Sequence, residues 1–560
     1  MSVRVDLKNR IVVWVVRRLA HRIGLPDARH KELVRERNIQ ILTRDGVTLL
    51  ADSWHPAGLT TAPLILIRTP YGRGGMQGAT LAILLAQYGF RVLTQSCRGT
   101  DGSGGEFVPF AFEKSDAADT IEWLRRQAWF QGKFATYGAS YVGYTQWALA
   151  SNLPPELVAM NPQIAPINPV TLLHNKGIFA YEIAMMWTLL MPKPPSRLLL
   201  LLGAKRKAKA LRDAAMQLPL AQSYIAANQG RRSAFFESWL EHSDPNDAWW
   251  STFDYAAVLD QINVPVLLQG GWLDMFTGEI FTQYAKLRAR NVDVAVMMAD
   301  ASHSGFVKSL AKTLPATVAW FEAAFASEKP TQSGMVVGET IGTKLWQQFA
   351  AWPPATKALT LHLHTGGLLA AEAPQACAPD TYCYDPTDPT PSIGGDLLSL
   401  RVDQDNRPLI ARKDVLSYTT APLQQPLEMI GRAQVDLWCA SSLAHADFFV
   451  RVCDVAPDGY ARTVSDSIQR VTADRVATGA DGVWSLHIPL TESLCTFAKG
   501  QRICVLVSSG AHPRFMRNAG TAEPLDSATT LLAADQRIFH DPAHPSRFVI
   551  QVRDDKSQPV

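Results

Sequence analysis

The chain has 560 residues, 47% of them hydrophobic and 19% charged, which excludes an intrinsically disordered protein. Lys plus Arg is 54 against 51 for Asp plus Glu, and a formal charge of +3 argues against a nucleic-acid binder and demands no acidic partner. The length holds about three or four ordinary domains, or two large ones.

Residues 1–36 form a basic arm with one apolar run, Ile11 to Val16. That run is short of a signal-peptide core, and no small-residue cleavage site follows it. The Arg17-Arg18 pair comes after the apolar run, whereas a twin-arginine signal puts it before. On a helical wheel Val12, Val13, Val15, Val16, Leu19 and Ile23 gather on one broad face, with Arg17, Arg18 and His21 mostly opposite. This predicts an amphipathic helix packed on its own domain, with peripheral membrane contact or a partner groove as the alternative. Leu198 to Leu202 is too short to span a bilayer, which takes about 20 residues. A soluble, cytoplasmic protein is expected.

From residue 38 strand-like and helix-like segments alternate. Asn38–Thr43 and Val47–Ser53 flank the turn dipeptide Asp45-Gly46, a hairpin signal. Leu64-Ile65-Leu66-Ile67 reads as a buried strand leading into Arg68-Thr69-Pro70-Tyr71. Ala79–Tyr88 is helical, Phe90–Thr94 a strand that opens into the glycine-rich loop Arg98 to Gly105, and Ser115–Gln127 a helix. Lys133–Tyr137 and Tyr141–Ala150 follow as strand and helix. Such alternation builds a parallel sheet. Val170 to Trp250 shows no clear strand and reads as a helical insertion; its basic stretch Lys205, Arg206, Lys207, Lys209 is a solvated helix face. The α/β rhythm resumes with strand Val264–Leu268, helix Glu279–Arg288, strand Val292–Met298 and helix Leu314–Ala326.

Beyond residue 345, short β-rich runs (Thr360–His364, Ala433–Trp438, Asp447–Val452, Ser485–Pro489, Arg502–Ser508) are divided by Gly, Pro and Asp turns, as in a sandwich or jelly roll. Six of the seven cysteines fall here, at 377, 383, 439, 453, 495 and 504, and Cys97 stands apart. No pair makes a CxxC, so neither a zinc site nor a disulfide framework is indicated. His362 and His364 share a strand face without a third nearby ligand and are read as ordinary strand residues.

The strongest chemical signal is Gly138-Ala139-Ser140-Tyr141-Val142-Gly143, where a strand ends and a helix begins. It resembles the G-x-S-x-G elbow with the closing glycine one residue late. A tight turn there lifts the serine hydroxyl above the sheet, and the helix N-terminus favours developing negative charge. A serine needs a base, and the base an orienting acid. In the order Ser, acid, His, each on a loop after a strand, Asp274 and His303 fit. Asp300 competes with Asp274 but stands only three residues before His303, and His242 reads as structural. The backbone N–H of Tyr141 is one candidate oxyanion donor, and the Tyr71 phenol, after the early strand, is a second.

Together these pieces resemble the CocE/NonD hydrolases, the group that contains cocaine esterase and is related to the S15 X-Pro dipeptidyl-peptidases. The resemblance rests on Arg44-Asp45-Gly46-Val47, Arg68 to Tyr71, Gln95 through Arg98-Gly99 to Phe107, Gly138 to Gly143, Gly271 to Asp274 and Ser302-His303. Tyr384-Asp385-Pro386 through Gly394-Gly395 and Arg514-Phe515 through Arg517-Asn518 extend it, so that it covers about residues 38 to 550. It implies an α/β-hydrolase domain in two parts (37–165 and 251–335), a helical cap (166–250) and a C-terminal jelly roll (345–555). It implies Ser140 as nucleophile, His303 as general base and acid, Asp274 as orienter, and Tyr71 with Tyr141 as oxyanion hole. No cofactor or metal is called for. The chain departs from the family at Trp272-Leu273-Asp274 and Asp300-Ala301-Ser302-His303, which alters the wall beside the triad. Phe179, Trp187, Trp272, Met275 and Phe276 are the candidate substrate-binding residues, each equally readable as core.

The expected partner is a small ester or amide, cleaved through an acyl-enzyme. An X-Pro dipeptidyl-peptidase or α-amino-acid ester hydrolase would need carboxylates for a substrate ammonium, and only scattered cap residues such as Glu182 offer one. A non-catalytic binding protein on this fold is disfavoured by the presence of all three triad residues. Oligomeric state is left open, a homodimer included.

Overall fold

A computed structural model describes residues 7–59, 61–191, 209–395, 404–472, 479 and 481–553. Ten strands form the first sheet: β1 (Leu33–Leu42), β2 (Thr48–Pro56), β3 (Leu64–Thr69), β4 (Arg91–Ser96), β5 (Phe134–Ala139), β6 (Leu157–Gln163), β7 (Val266–Leu273), β8 (Val294–Ser302), β9 (Val336–Glu339) and β10 (Trp346–Phe349). Their spatial order is β1-β2-β4-β3-β5-β6-β7-β8-β9-β10. The hairpin at Asp45-Gly46 forms as predicted, with Leu42 opposite Thr48. From β4 to β9 every neighbouring pair is parallel. The run Leu64 to Ile67 is fully buried because both faces of the sheet are covered: Leu64 and Leu66 enter one core, Ile65 and Ile67 the other. Helices Leu81–Gln87, Glu113–Arg125, Tyr141–Ala150, Thr277–Ala289 and Leu310–Phe325 supply that cover.

β6 carries Asn161 and Pro162, residues that weaken a strand pattern. It survives at the sheet centre because its polar groups are satisfied sideways. The Asn161 amide donates to the Leu267 carbonyl at 2.5 Å, and that of Gln163 to Gln269 Oε1 at 2.5 Å.

Between β6 and β7 lie short helices, among them Pro169–Leu173, Tyr181–Leu190, Leu220–Ala227 and Ala234–Glu241, with a 3-10 turn at Ala248–Phe253. The leucine run and the cations at 205 to 207 fall outside the described residues; Lys209 is exposed and pairs with Asp213 at 2.6 Å.

The last third is a β domain in which long strands such as Leu427–Ser441 and Trp484–Phe497 pair antiparallel. It is fixed to the first sheet by Arg462, whose guanidinium lies 2.6 Å from Asp300, and by a bridge between Ile341 and Cys495. Asp466, fully buried, receives both Arg451 (2.8 Å) and Arg514 (2.9 Å). Removing one partner of such a buried network costs about 3–5 kcal/mol, because the other charge is left without compensation. All seven cysteines are free.

The N-terminal helix, α1 (Leu7–Arg22), packs beside the Leu81–Gln87 helix. Only a narrow face closes, formed by Val13, Val16 and Ala20; Val12, Val15, Leu19 and Ile23 of the expected broad packing face are exposed.

Candidate active site

The sharp turn at Ser140 is built by local sterics. Ser140 stands between β5 and the helix Tyr141–Ala150 with φ 61° and ψ −129°, a conformation that a non-glycine residue adopts only when its surroundings enforce it. The two flanking glycines make room for the turn. A Cβ on Gly138 would lie 2.1 Å from Val142 Cγ1, and one on Gly143 would lie 2.2 Å from Ala165 Cβ. The later closing glycine is therefore the one this elbow needs.

Three chain segments converge on Ser140. His303 follows the end of β8, and its Nε2 lies 3.0 Å from Ser140 Oγ. Its Nδ1 lies 2.6 Å from Asp274 Oδ2. Asp274 is fully buried just past β7, and its other oxygen accepts the Phe276 N–H at 2.8 Å. The Tyr71 hydroxyl, reached from the loop after β3, is 3.3 Å from Ser140 Oγ and also meets the Tyr141 backbone N–H. Burial pushes the Tyr71 phenol up to about 12, so it keeps its proton at neutral pH and can donate it in a hydrogen bond. The sequence candidates Ser140, Asp274, His303, Tyr71 and Tyr141 are thus brought to one point.

The Tyr141 side chain serves as a strut. Its hydroxyl accepts the Phe110 N–H at 2.7 Å and donates to Glu113 at 2.9 Å, and Glu113 in turn pairs with buried Arg68 at 2.9 Å. Cys97 borders the same network, and burial together with Glu113 pushes its thiol well above the ordinary range, which leaves it unreactive.

A cavity of about 20 Å³ opens on Ser140 and His303, lined by Phe110, Tyr141, Pro166, Leu172, Ile183, Trp187, Met275 and Phe276. Of the candidate substrate-binding residues, Trp187, Met275 and Phe276 line it. Two candidates do not. Trp272 lies inside strand β7 and turns toward the β domain, stacking on Phe281 and Trp352 and donating its indole N–H to the Glu339 carbonyl at 2.7 Å. Phe179 packs on His174 and Phe236 within the cap. Phe110, Pro166, Leu172 and Ile183 were not singled out; they are apolar residues from separate segments, with no local mark that distinguishes a cavity wall from core.

Asp300 is held by Lys344 and Arg462 as a clamp between domains, away from His303 Nδ1. His242 binds Asp247 at 2.7 Å and stacks on Trp249. Glu182 is not on the cavity lining; it is half-buried, and the positive charges of Arg514 and Arg212 act on its carboxyl. Among the described residues no group of three His, Cys, Asp or Glu side chains could hold a metal ion.

Residues 45–305 match the X-Pro dipeptidyl-peptidase (S15 family), and residues 313–549 match the X-Pro dipeptidyl-peptidase C-terminal non-catalytic domain. Cocaine esterase of Rhodococcus sp. (strain MB1 Bresler) is 29% identical over 92% of this chain and 98% of its own length. An α-amino acid ester hydrolase structure superposes with a TM-score of 0.80 at 22% identity, over 94% of this chain and 98% of that one. A CocE/NonD family hydrolase from Staphylococcus aureus superposes at 0.66 with 17% identity, over 93% and 94% of the two chains.

Proposed function

The chain belongs to the CocE/NonD serine hydrolases, relatives of the S15 X-Pro dipeptidyl-peptidases, and from that premise we propose which residues cleave its ester and what acyl group it takes. The observation that carries the assignment is the aligned row Asp274, His303, Ser140, Tyr71, with contacts of 2.6, 3.0 and 3.3 Å.

In the first step the Ser140 hydroxyl passes its proton to His303 Nε2 as its oxygen attacks the ester carbonyl. Asp274 accepts the Nδ1–H, holds the ring in that tautomer and stabilises the imidazolium. Negative charge grows on the former carbonyl oxygen, and the Tyr141 N–H and Tyr71 O–H donate to it. His303 then returns the proton to the departing alkoxide, leaving an acyl group on Ser140. A water, deprotonated by the same imidazole, attacks the acyl-enzyme, and the imidazolium returns that proton to Ser140 Oγ as the acid departs.

The acyl group is uncharged and apolar. The lining of the cavity offers it Phe110, Leu172, Ile183, Trp187, Met275 and Phe276 and no carboxylate. A substrate ammonium buried there would lack a counter-charge, which disfavours a free-amine substrate. The β domain has no proposed chemistry, and the seven free thiols fit a reducing, cytoplasmic location. The deciding experiment compares an N-acyl amino-acid ester with the same ester bearing a free amine. The expected result is at least about 10-fold higher kcat/KM for the acylated ester; preference for the free amine would sink this reading in favour of the α-amino-acid type.

A further inference from the structure

Helix α1 is apolar on two sides. Val13, Val16 and Ala20 are buried against the hydrolase domain. Ile11, Val15 and Leu19, spaced i, i+4, i+8, form an outward stripe that is 50–55% exposed. Val12, Trp14 and Ile23 extend it on either flank, each at least 40% exposed. A helix that only closes its own domain turns polar residues outward. The concentration is local: of fourteen large apolar side chains exposed among the described residues, six lie between Ile11 and Ile23, and the other eight are spread over the rest of the chain. A contiguous patch of this kind marks a docking surface, whereas single exposed residues need no explanation.

Charge indicates the partner. The helix sequence carries Lys8, Arg10, Arg17, Arg18, His21 and Arg22 and no Asp or Glu. Arg10 has Glu32 at 3.9 Å and His21 has Asp27 at 4.0 Å, both pairs largely exposed. Arg17, Arg18 and Arg22 have no carboxylate partner among the described residues, and the Arg18 guanidinium lies 5.1 Å over the Trp14 ring. Apolar stripe, half-exposed tryptophan and unopposed arginines on one short helix match the interface of an anionic bilayer, which supplies acyl chains and phosphates together. We propose that α1 seats the enzyme on an anionic phospholipid surface, with Ile11, Val15 and Leu19 in the interface and Arg17, Arg18 and Arg22 at the headgroup phosphates.

The test uses the full chain and two kinds of vesicle, phosphatidylcholine alone and phosphatidylcholine mixed with phosphatidylglycerol, in a sedimentation assay. The expected result is binding to the mixed vesicles that is at least about 10-fold stronger than to the neutral ones and weakens with salt. Arg17→Gln/Arg18→Gln/Arg22→Gln should weaken it by about 100-fold, at about fivefold per cation. Ile11→Glu/Val15→Glu should abolish it. Both variants should keep wild-type kcat/KM on a soluble ester, since none of these side chains approaches Ser140, and that activity also reports folding. Wild-type binding that is absent, or that survives Ile11→Glu/Val15→Glu, overturns the proposal. So does a wild-type dimer, without vesicle binding, that the same variant converts to monomer in light scattering: the face then belongs to a second copy.

Discussion

Met275 separates two cavities that have little else in common. On one side is the cavity of about 20 Å³ at Ser140, with room for little more than one water molecule. On the other is a cavity of about 420 Å³ between the cap, the helix Thr277–Ala289 and the β domain. The large one has the volume of an ordinary ligand site and is rich in ionisable groups, among them His174, Glu279, Lys286 and Arg514. Yet among its described lining residues no serine, histidine and carboxylate are joined in a row. His174 is buried with neither ring nitrogen in a hydrogen bond among the described residues, and burial pulls its imidazole down to about 4. The small cavity holds one strained serine with a base 3.0 Å away and that base held at 2.6 Å. Volume and charge point to the wide cavity and three oriented hydrogen bonds to the narrow one, and it is on the hydrogen bonds that the proposed chemistry rests.

Removal of the proposed nucleophile tests that contrast most directly. Ser140→Ala should lower kcat on an activated ester by at least about 10⁴-fold and abolish labelling by a fluorophosphonate. Hydrolysis that persisted near the wild-type rate would mean that a group in the wide cavity is catalytic and would reverse the comparison. Tyr71→Phe should lower kcat by about 10²-fold, with little change in KM, because the lost donor acts on charge that exists only in the transition state. An unchanged kcat would leave the Tyr141 N–H as the donor that matters.

The wall itself is the next target. Met275→Ala should open the small cavity into the large one and admit longer acyl chains. The ratio of kcat/KM for a hexanoyl over an acetyl ester should rise by about 10-fold or more, a change expected from a few methylenes gaining a place to bind. An unchanged ratio would show that the two cavities stay separate without the thioether, and that Leu172 and Phe276 set acyl length instead.

Much of this site was legible in the sequence because the residues proposed as catalytic sit at strand ends, where a local change of pattern marks them. Ser140, Asp274 and His303 each follow a buried run, and one helix separates Asp274 from His303. The cavity wall was not legible. Phe110, Leu172 and Ile183 come from three segments and look like any core residue until the fold assembles them. Trp272 misled because sequence proximity to Asp274 is not spatial proximity: it is still inside β7, while Asp274 lies past its end in a turn that bonds back to Gly271 at 3.1 Å. Several motif residues that carry the family resemblance also proved to be scaffolding. Arg98 ties Asp45 to Asp116 at 2.6 Å each, and Arg514 feeds the buried Asp466. Strand β6 escaped notice because Asn161 and Pro162 argue against a strand, and the carbonyl of Leu267, over 100 residues away, is what makes Asn161 acceptable there.

The smallest expected effect asks whether the wide cavity supports the narrow one. Glu279 lines the wide cavity, yet it accepts the Ile167 N–H at 2.7 Å and the Thr171 hydroxyl, and so holds the segment that carries Leu172 into the acyl wall. Burial pushes its carboxyl up to about 7, above the ordinary value of about 4.3. The folded chain therefore keeps a proton that the unfolded chain has lost between those two values. Stability should fall as pH rises through that window, by at most about 1.4 kcal/mol per pH unit, and should be flat with respect to this group below and above it. Glu279→Gln removes the titration and keeps an amide oxygen that can still accept. The difference in thermal midpoint between variant and wild type should then shift in the variant's favour from pH 5 to pH 8, with kcat/KM on an acetyl ester changed by less than about threefold. A difference that stays constant across that range would mean Glu279 is already ionised in the folded chain. A large loss of activity would mean that the two cavities work as one site.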